Sequence, residues 1–139
     1  MKEIRDHALY LAYRTVLANN DFSTQREAIQ AAIKSQAPQF FLPSKALSLH
    51  IGRMKRGLPP QNPSSSTGRK LEELYRRYLN FLVTNPDTNL RHYEICEMLI
   101  EQPAPEFYIS AETAKRIIRK EGKKHNRRLL GRFSYLLSK

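Results

Sequence analysis

Ile4, Ala8, Leu11, Ala12, Thr15 and Val16 recur at helical spacing, and no Pro or Gly interrupts residues 2–18, so the chain is predicted to open on an amphipathic helix. Thr24 followed by Glu27 spells a capping box, with Ser23 as the alternative cap, and Ala28, Ile29, Ala32 and Ile33 then form the apolar stripe of a second helix that Pro38 ends. After Phe40-Phe41-Leu42, Pro43-Ser44 opens a third helix with Leu47, Ile51 and Met54 on its buried side and Gly57 as its stop. Gly52 weakens that helix. Residues 58–68 hold three Pro and a Ser/Thr cluster without apolar periodicity, which reads as a linker.

The order then begins again. A helix over 69–84 carries Leu71, Leu74, Tyr75, Tyr78, Leu79 and Leu82, and a shorter one covers about 90–101. Ser110 caps a third helix that runs to about Glu121, with Gly122 behind it. Ala37-Pro38-Gln39-Phe40-Phe41-Leu42 returns 67 positions later as Ala104-Pro105-Glu106-Phe107-Tyr108-Ile109, and the neighbouring apolar positions return with it. Ala28, Ile29, Ala32 and Ile33 are answered by Ile95, Cys96, Leu99 and Ile100, and Leu47 and Ile51 by Ala114 and Ile118. Such self-similarity predicts one supersecondary unit used twice.

The expected fold is therefore all-α, a tandem repeat of a three-helix unit with a short extended aromatic segment between the second and third helices. Residues 1–57 form the first repeat, 58–68 the linker, and 69–139 the second repeat with a C-terminal basic helix. The tail residues Phe133, Leu136 and Leu137 can be laid on Tyr75, Tyr78 and Leu79 as a third copy of the first helix. A single copy of this size buries too little surface to be stable alone, so the copies are expected to share a core. The aromatic segments are either paired extended pieces or apolar plugs.

Charge narrows the function. The chain carries 24 Lys plus Arg against 13 Asp plus Glu, a formal net charge of +11, which points to a polyanionic partner. Lys115, Arg116, Arg119, Lys120, Lys123, Lys124, Arg127 and Arg128 fall within 14 residues, opposed there only by Glu121. Arg116, Lys120, Lys123 and Arg127 follow the i, i+4, i+7, i+11 rule and would share one side of a helix continuing through Gly122. Arg53, Lys55 and Arg56 occupy the corresponding end of the first repeat. A basic helix following a short helix loosely resembles the helix-turn-helix order, although the connections here are longer than that motif's turn.

Other chemistries find little support. His92 and Cys96 sit one helical turn apart, but two ligands do not make a zinc site, so neither metal nor cofactor is expected. No phosphate loop or nucleophile motif is present, and the chain reads as a non-enzyme. A single cysteine suits a reducing cytoplasm, and the charged N-terminus has neither a signal-peptide core nor a membrane span.

The segments Ala104–Ser110 and Ala111–Ile118, with 70–82 upstream, resemble a group of small basic bacterial proteins associated with prophages and other mobile elements. The resemblance covers mainly the second half and implies no catalytic residues. The first copy departs from it, with Pro43 where Ser110 stands. The leading expectation is a regulatory or accessory protein that binds double-stranded DNA through phosphates. The rival is a protein-interaction adaptor or homodimer in which Tyr10, Tyr13, Tyr75 and Tyr78 form an exposed aromatic patch. Charge alone treats DNA and RNA alike.

Overall fold

The computed structural model describes residues 2–60 and 62–137, with side chains described as far as Arg128. Among the described residues the chain is all-helical: α1 (Lys2–Asn19), α2 (Gln25–Lys34), α3 (Ser44–Lys55), α4 (Ser66–Thr84), α5 (His92–Ile100) and α6 (Ala111–Leu137).

Local chemistry sets most of these boundaries. Thr24 and Ser23 divide the work of capping α2: the Glu27 amide donates to Thr24 Oγ1, while the Glu27 carboxylate accepts from the amide and hydroxyl of Ser23. α3 ends in a Schellman motif. Gly57, at φ 83°, donates to the Met54 carbonyl while Leu58 donates to that of Arg53. α4 starts earlier than the apolar pattern predicts, because the Ser65 hydroxyl accepts from the Gly68 amide at 3.0 Å and so draws Ser66, Thr67 and Gly68 out of the linker into the first turn.

The largest departure is at α6. Gly122 does not stop it, and the backbone continues unbroken to Leu137, so the tail is an extension of this helix and not a separate one. Lys123 and Lys124 are good helix formers, no Pro follows, and Tyr10 of α1 passes 3.9 Å from where a Gly122 Cβ would stand. The side chains of Phe133, Leu136 and Leu137, on which the proposed third copy rested, lie outside the described residues, as does Lys139.

The contacts divide the described residues into two compact units, one from residues 34–109 and the other from residues 2–33 with 110–137. In the first, α3 packs against both α4 and α5, and α4 against α5. Leu47, Ile51, Leu71, Leu74, Tyr78, Ile95, Cys96 and Leu99 make its core. The two aromatic segments meet inside it. Ala37 and Ala104 form an antiparallel bridge by exchanging both backbone hydrogen bonds, at 2.9 and 3.0 Å. Phe40 then stacks on Tyr108 and Phe41 on Phe107, with ring centres 6.1 and 6.3 Å apart. The segments are thus paired at one residue and plugged beyond it. Tyr108 holds φ 53°, a left-handed conformation uncommon for a bulky residue, and its ring is held between Phe40 and the Arg69 guanidinium.

Charged side chains tie α4 to these segments. Glu73 accepts from Arg76 and Arg77, and the Arg76 hydrogen bond holds its carboxyl below the ordinary value against the opposing effect of burial. Arg77 goes on to the carbonyl of Pro103 and the face of Phe40, Lys70 donates to the Phe41 carbonyl, and Arg69 pairs with Glu106 at 2.8 Å.

In the second unit α1 lies against α6. Lys2, Arg5 and Asp6 share a groove with Thr113, Arg116, Ile117 and Lys120, while Tyr10 and Arg14 meet His125, so the two helices run parallel. Leu9, Ala114, Ile117 and Ile118 are buried, as are the carboxylates of Asp6 and Glu121, which pair with Arg5 at 3.0 Å and Lys124 at 3.5 Å.

Gly52, unlike Gly57, has no conformational need to be glycine: it is helical, and a Cβ there would meet nothing within 4 Å. Gly52→Ala is expected to raise stability by about 0.5–1 kcal/mol through the reduced entropy of the unfolded chain. Thermal denaturation followed by circular dichroism checks this, as a rise of a few degrees.

Candidate nucleic-acid interface

The basic sequence cluster becomes a surface because α6 is one continuous helix. Ala114, Ile117, Ile118 and Glu121 are its buried positions, and Lys115, Arg116, Arg119, Lys120, Lys123, Arg127 and Arg128 are all exposed. At 100° per residue Arg116, Lys120, Lys123 and Arg127 fall within about 60° of one another and run along about 16 Å of the axis. Adding Lys115 and Arg119 widens the cationic sector to about 140°, centred opposite the buried side. Arg128 lies off this sector. Glu112, at the amino end, is the one carboxylate within it.

Among the described residues no carboxylate lies within ion-pair distance of Arg116, Arg119, Lys120, Lys123, Arg127 or Arg128. Lys124 is the exception, drawn toward Glu121. The Arg116 guanidinium reaches the Thr113 hydroxyl, at 3.5 Å. Cations left unpaired on a helix are hydrated and available to an incoming polyanion without first breaking a salt bridge.

The fold adds cations that no reading of the α6 run could supply. Lys2, exposed on α1, borders the groove that holds Arg116 and Lys120. Arg26, exposed on α2, shares another groove with Glu112 and Lys115. Arg14 donates to His125 Nε2 at 3.3 Å. These residues are 85 or more positions from their neighbours on α6, and their only sequence signal is that they carry charge on predicted helices.

The end of α3, in the other unit, is built differently. Arg53 is exposed and borders a groove with His50, Asn62 and Ser65, whereas Arg56 turns back to the Gly52 carbonyl. Lys55 belongs to a packed chain of hydrogen bonds. Its ammonium donates to the Tyr78 hydroxyl at 2.6 Å, Tyr78 donates to His92 Nδ1 at 2.9 Å, and His92 Nε2 donates to the Ser48 carbonyl at 2.9 Å. The carbonyl can only accept, which fixes the proton on Nε2 and leaves Nδ1 to accept from Tyr78. Lys55 also sits 4.5 Å from the centre of the Tyr78 ring. It joins α3 to α4 and α5.

The same network engages two side chains that the sequence offers for other roles, His92 and Tyr78. Both ring nitrogens of His92 are engaged, Cys96 is buried, and no group of three or more His, Cys, Asp or Glu side chains able to hold a metal occurs among the described residues. Burial pushes the Cys96 thiol up to about 11, so it stays protonated at neutral pH. The four tyrosines do not form an exposed patch. Tyr78 is only 2% exposed because it shares the buried side of α4 with Leu71 and Leu74, and Tyr10 packs on His125. The exposed large apolar residues include Ile4, Leu11 and Leu17 on α1, Leu49 on α3, and Leu79 and Val83 on α4. No helix among the described residues is long and apolar enough to cross a membrane. No protein-family model, curated protein or solved structure matches this chain.

Proposed function

We propose that this protein binds double-stranded DNA through the cationic face of α6, with Arg53 as a separate contact on α3, in a regulatory or accessory role. The observation that carries the reading is the outward sector of Lys and Arg on α6, unpaired among the described residues and flanked by Lys2 and Arg26. No catalytic step is assigned to any residue.

The exposed face of α6 between Lys115 and Arg128 holds no aromatic side chain, and Phe40, Phe41 and Phe107 are buried against other rings. Single-strand binders stack bases on aromatic platforms, so this surface is better suited to the phosphates of a duplex. Each phosphate neutralised releases condensed counterions, and log K is expected to fall with log salt at about 0.9 per contact. A fluorescence-anisotropy titration of a labelled duplex over a salt series tests this. Four or more contacts predict a slope of about −3.6 or steeper, and a flat response overturns the proposal. Self-association that survives high salt would favour the adaptor reading through Leu79 and Val83 instead.

The tandem repeat is part of the same proposal. Positions 67 apart share burial, as Ala28 with Ile95, Ala32 with Leu99, Leu47 with Ala114 and Ile51 with Ile118. The aromatic contacts are also reciprocal: Phe40 with Tyr108 becomes Phe107 with Phe41 when each residue is replaced by its counterpart. Reciprocity of that kind is what a two-fold relation between the two aromatic segments would produce, and the pairing of Ala37 with its own counterpart Ala104 supports it. Each compact unit then takes its first and second helices from one sequence half and its third from the other.

A further inference from the structure

A helix lying on the outside of a duplex meets one row of phosphates, for which a single narrow stripe of cations is enough. The charge around α6 is distributed otherwise. Its cationic sector spans about 140°, more than twice the width of the Arg116, Lys120, Lys123, Arg127 stripe. A shoulder from a different helix extends each edge of that sector. On one edge Arg26 of α2 stands beside Lys115, and on the other Lys2 of α1 stands beside Arg116 and Lys120. Three elements of one compact unit therefore place positive charge on both flanks of a single exposed helix face.

Two flanks of cations fit two phosphate walls. A helix with its side chains is about 10–12 Å across, and the major groove of B-DNA is about 12 Å wide. The minor groove, about 6 Å wide, cannot admit it, and neither can the deep, narrow major groove of an RNA duplex. We infer that α6 seats in the major groove of duplex DNA, with Arg26 and Lys115 on one phosphate wall and Lys2 and Lys120 on the other. This rests on the DNA-binding reading above.

Seating of this kind assigns roles within the stripe. Lys123 lies nearest the middle of the sector, with Arg119 and Arg116 about 30° to either side of that middle, so the Lys123 side chain points to base edges, where an arginine or lysine takes the O6 and N7 acceptors of guanine. Glu112, on the same face, sits at the amino end and limits the contact to the stretch from Lys115 onward. Affinity then comes from both walls, and any preference for guanine from the middle.

The test uses the full chain, a labelled 30-base-pair duplex, and two competitors: methyl green, which occupies the major groove, and netropsin, which occupies the minor. Displacement by methyl green but not by netropsin is expected. Displacement by netropsin alone, or by neither while binding remains salt-dependent, overturns the groove assignment and leaves the DNA-binding reading standing. Absence of salt-dependent binding overturns both. Lys2→Gln and Arg26→Gln provide an independent readout, because both are exposed and neither sits in the α6 stripe. Each is expected to lower the salt slope by about 0.9, whereas a helix resting on one strand loses slope with only one of them. An RNA duplex of the same sequence should bind at least tenfold more weakly, and equal binding overturns the assignment.

Discussion

Replacing Arg116, Lys120, Lys123 and Arg127 together by Gln is expected to lower duplex-DNA affinity by about three decades at 0.1 M salt. Three of the four, Arg116, Lys120 and Arg127, meet phosphates in this arrangement, and at about 0.9 each in the salt slope they amount to about 2.7 decades between 0.1 M and 1 M salt, with the base-edge contact of Lys123 lost besides; the measured slope should fall by about 2.7. The fold should survive. All four side chains are exposed, none makes an ion pair among the described residues, and Gln forms helix about as well as Lys or Arg. Anisotropy titrations at several salt concentrations, with far-ultraviolet circular dichroism as the folding control, give the answer. A variant that keeps its helix content and binds within threefold of the parent would sink the assignment of α6.

The same substitution at Lys55 has a different expected character, although charge counting places it in the same class. Its ammonium is the terminal donor to Tyr78, whose hydroxyl is held between Lys55 and His92 inside the packing of α3, α4 and α5. Lys55 is itself exposed and its bond to the Tyr78 hydroxyl is part-buried, so neutralising it removes a hydrogen-bond donor at the edge of the core as well as a surface charge. A basic residue at the end of a basic helix is therefore not sufficient to define a phosphate contact, and what its nitrogen touches decides.

That contrast marks how far residue order alone could reach. Helix existence was legible because Ala28, Ile29, Ala32 and Ile33, or Ile95, Cys96 and Leu99, repeat at a period only a helix buries on one side, and all seven are buried. The outward direction of the α6 cations was legible for the same reason, since they alternate with Ala114, Ile117 and Ile118. Helix length was not. A glycine in αL at the end of α3 and a glycine within α6 look alike in sequence, and what separates them is the turn made by Gly57 and Leu58 against the continuation through Lys123 and Lys124. Pairing between distant segments was also hidden. Nothing local to Lys2 or Arg26 places them beside Arg116 or Lys115, because that neighbourhood arises only when α6 packs within the unit formed by the chain's first helices.

Gly68 is a second case of hidden neighbourhood, and Gly68→Ala is expected to be strongly destabilising. As the last residue of a Pro- and Ser-rich stretch it reads as a linker glycine, yet it is buried in the first turn of α4. A Cβ there would stand 2.1 Å from the Asn62 carbonyl oxygen, 2.8 Å from Pro63 Cα and 2.9 Å from Pro63 C. All three are backbone atoms, so no side-chain rotation relieves the overlap, and the turn at 62–63 has to lift away from the helix. Lifting it breaks the 2.7 Å bond from the Ser65 hydroxyl to Asn62 and disturbs the cap that Ser65 provides to the Gly68 amide. Overpacking costs about 1–3 kcal/mol and a lost cap about 1 kcal/mol more, for a total of about 3 kcal/mol. In a chain of this length that lowers Tm by about 10 °C. Gly52→Ala, the same chemical change in open space on α3, should move Tm the other way, so the pair separates close backbone approach from helix propensity. A Gly68→Ala protein that melts with the parent would mean that the 62–63 turn does not rest on α4, and that the stretch before the helix is the open linker its composition suggests.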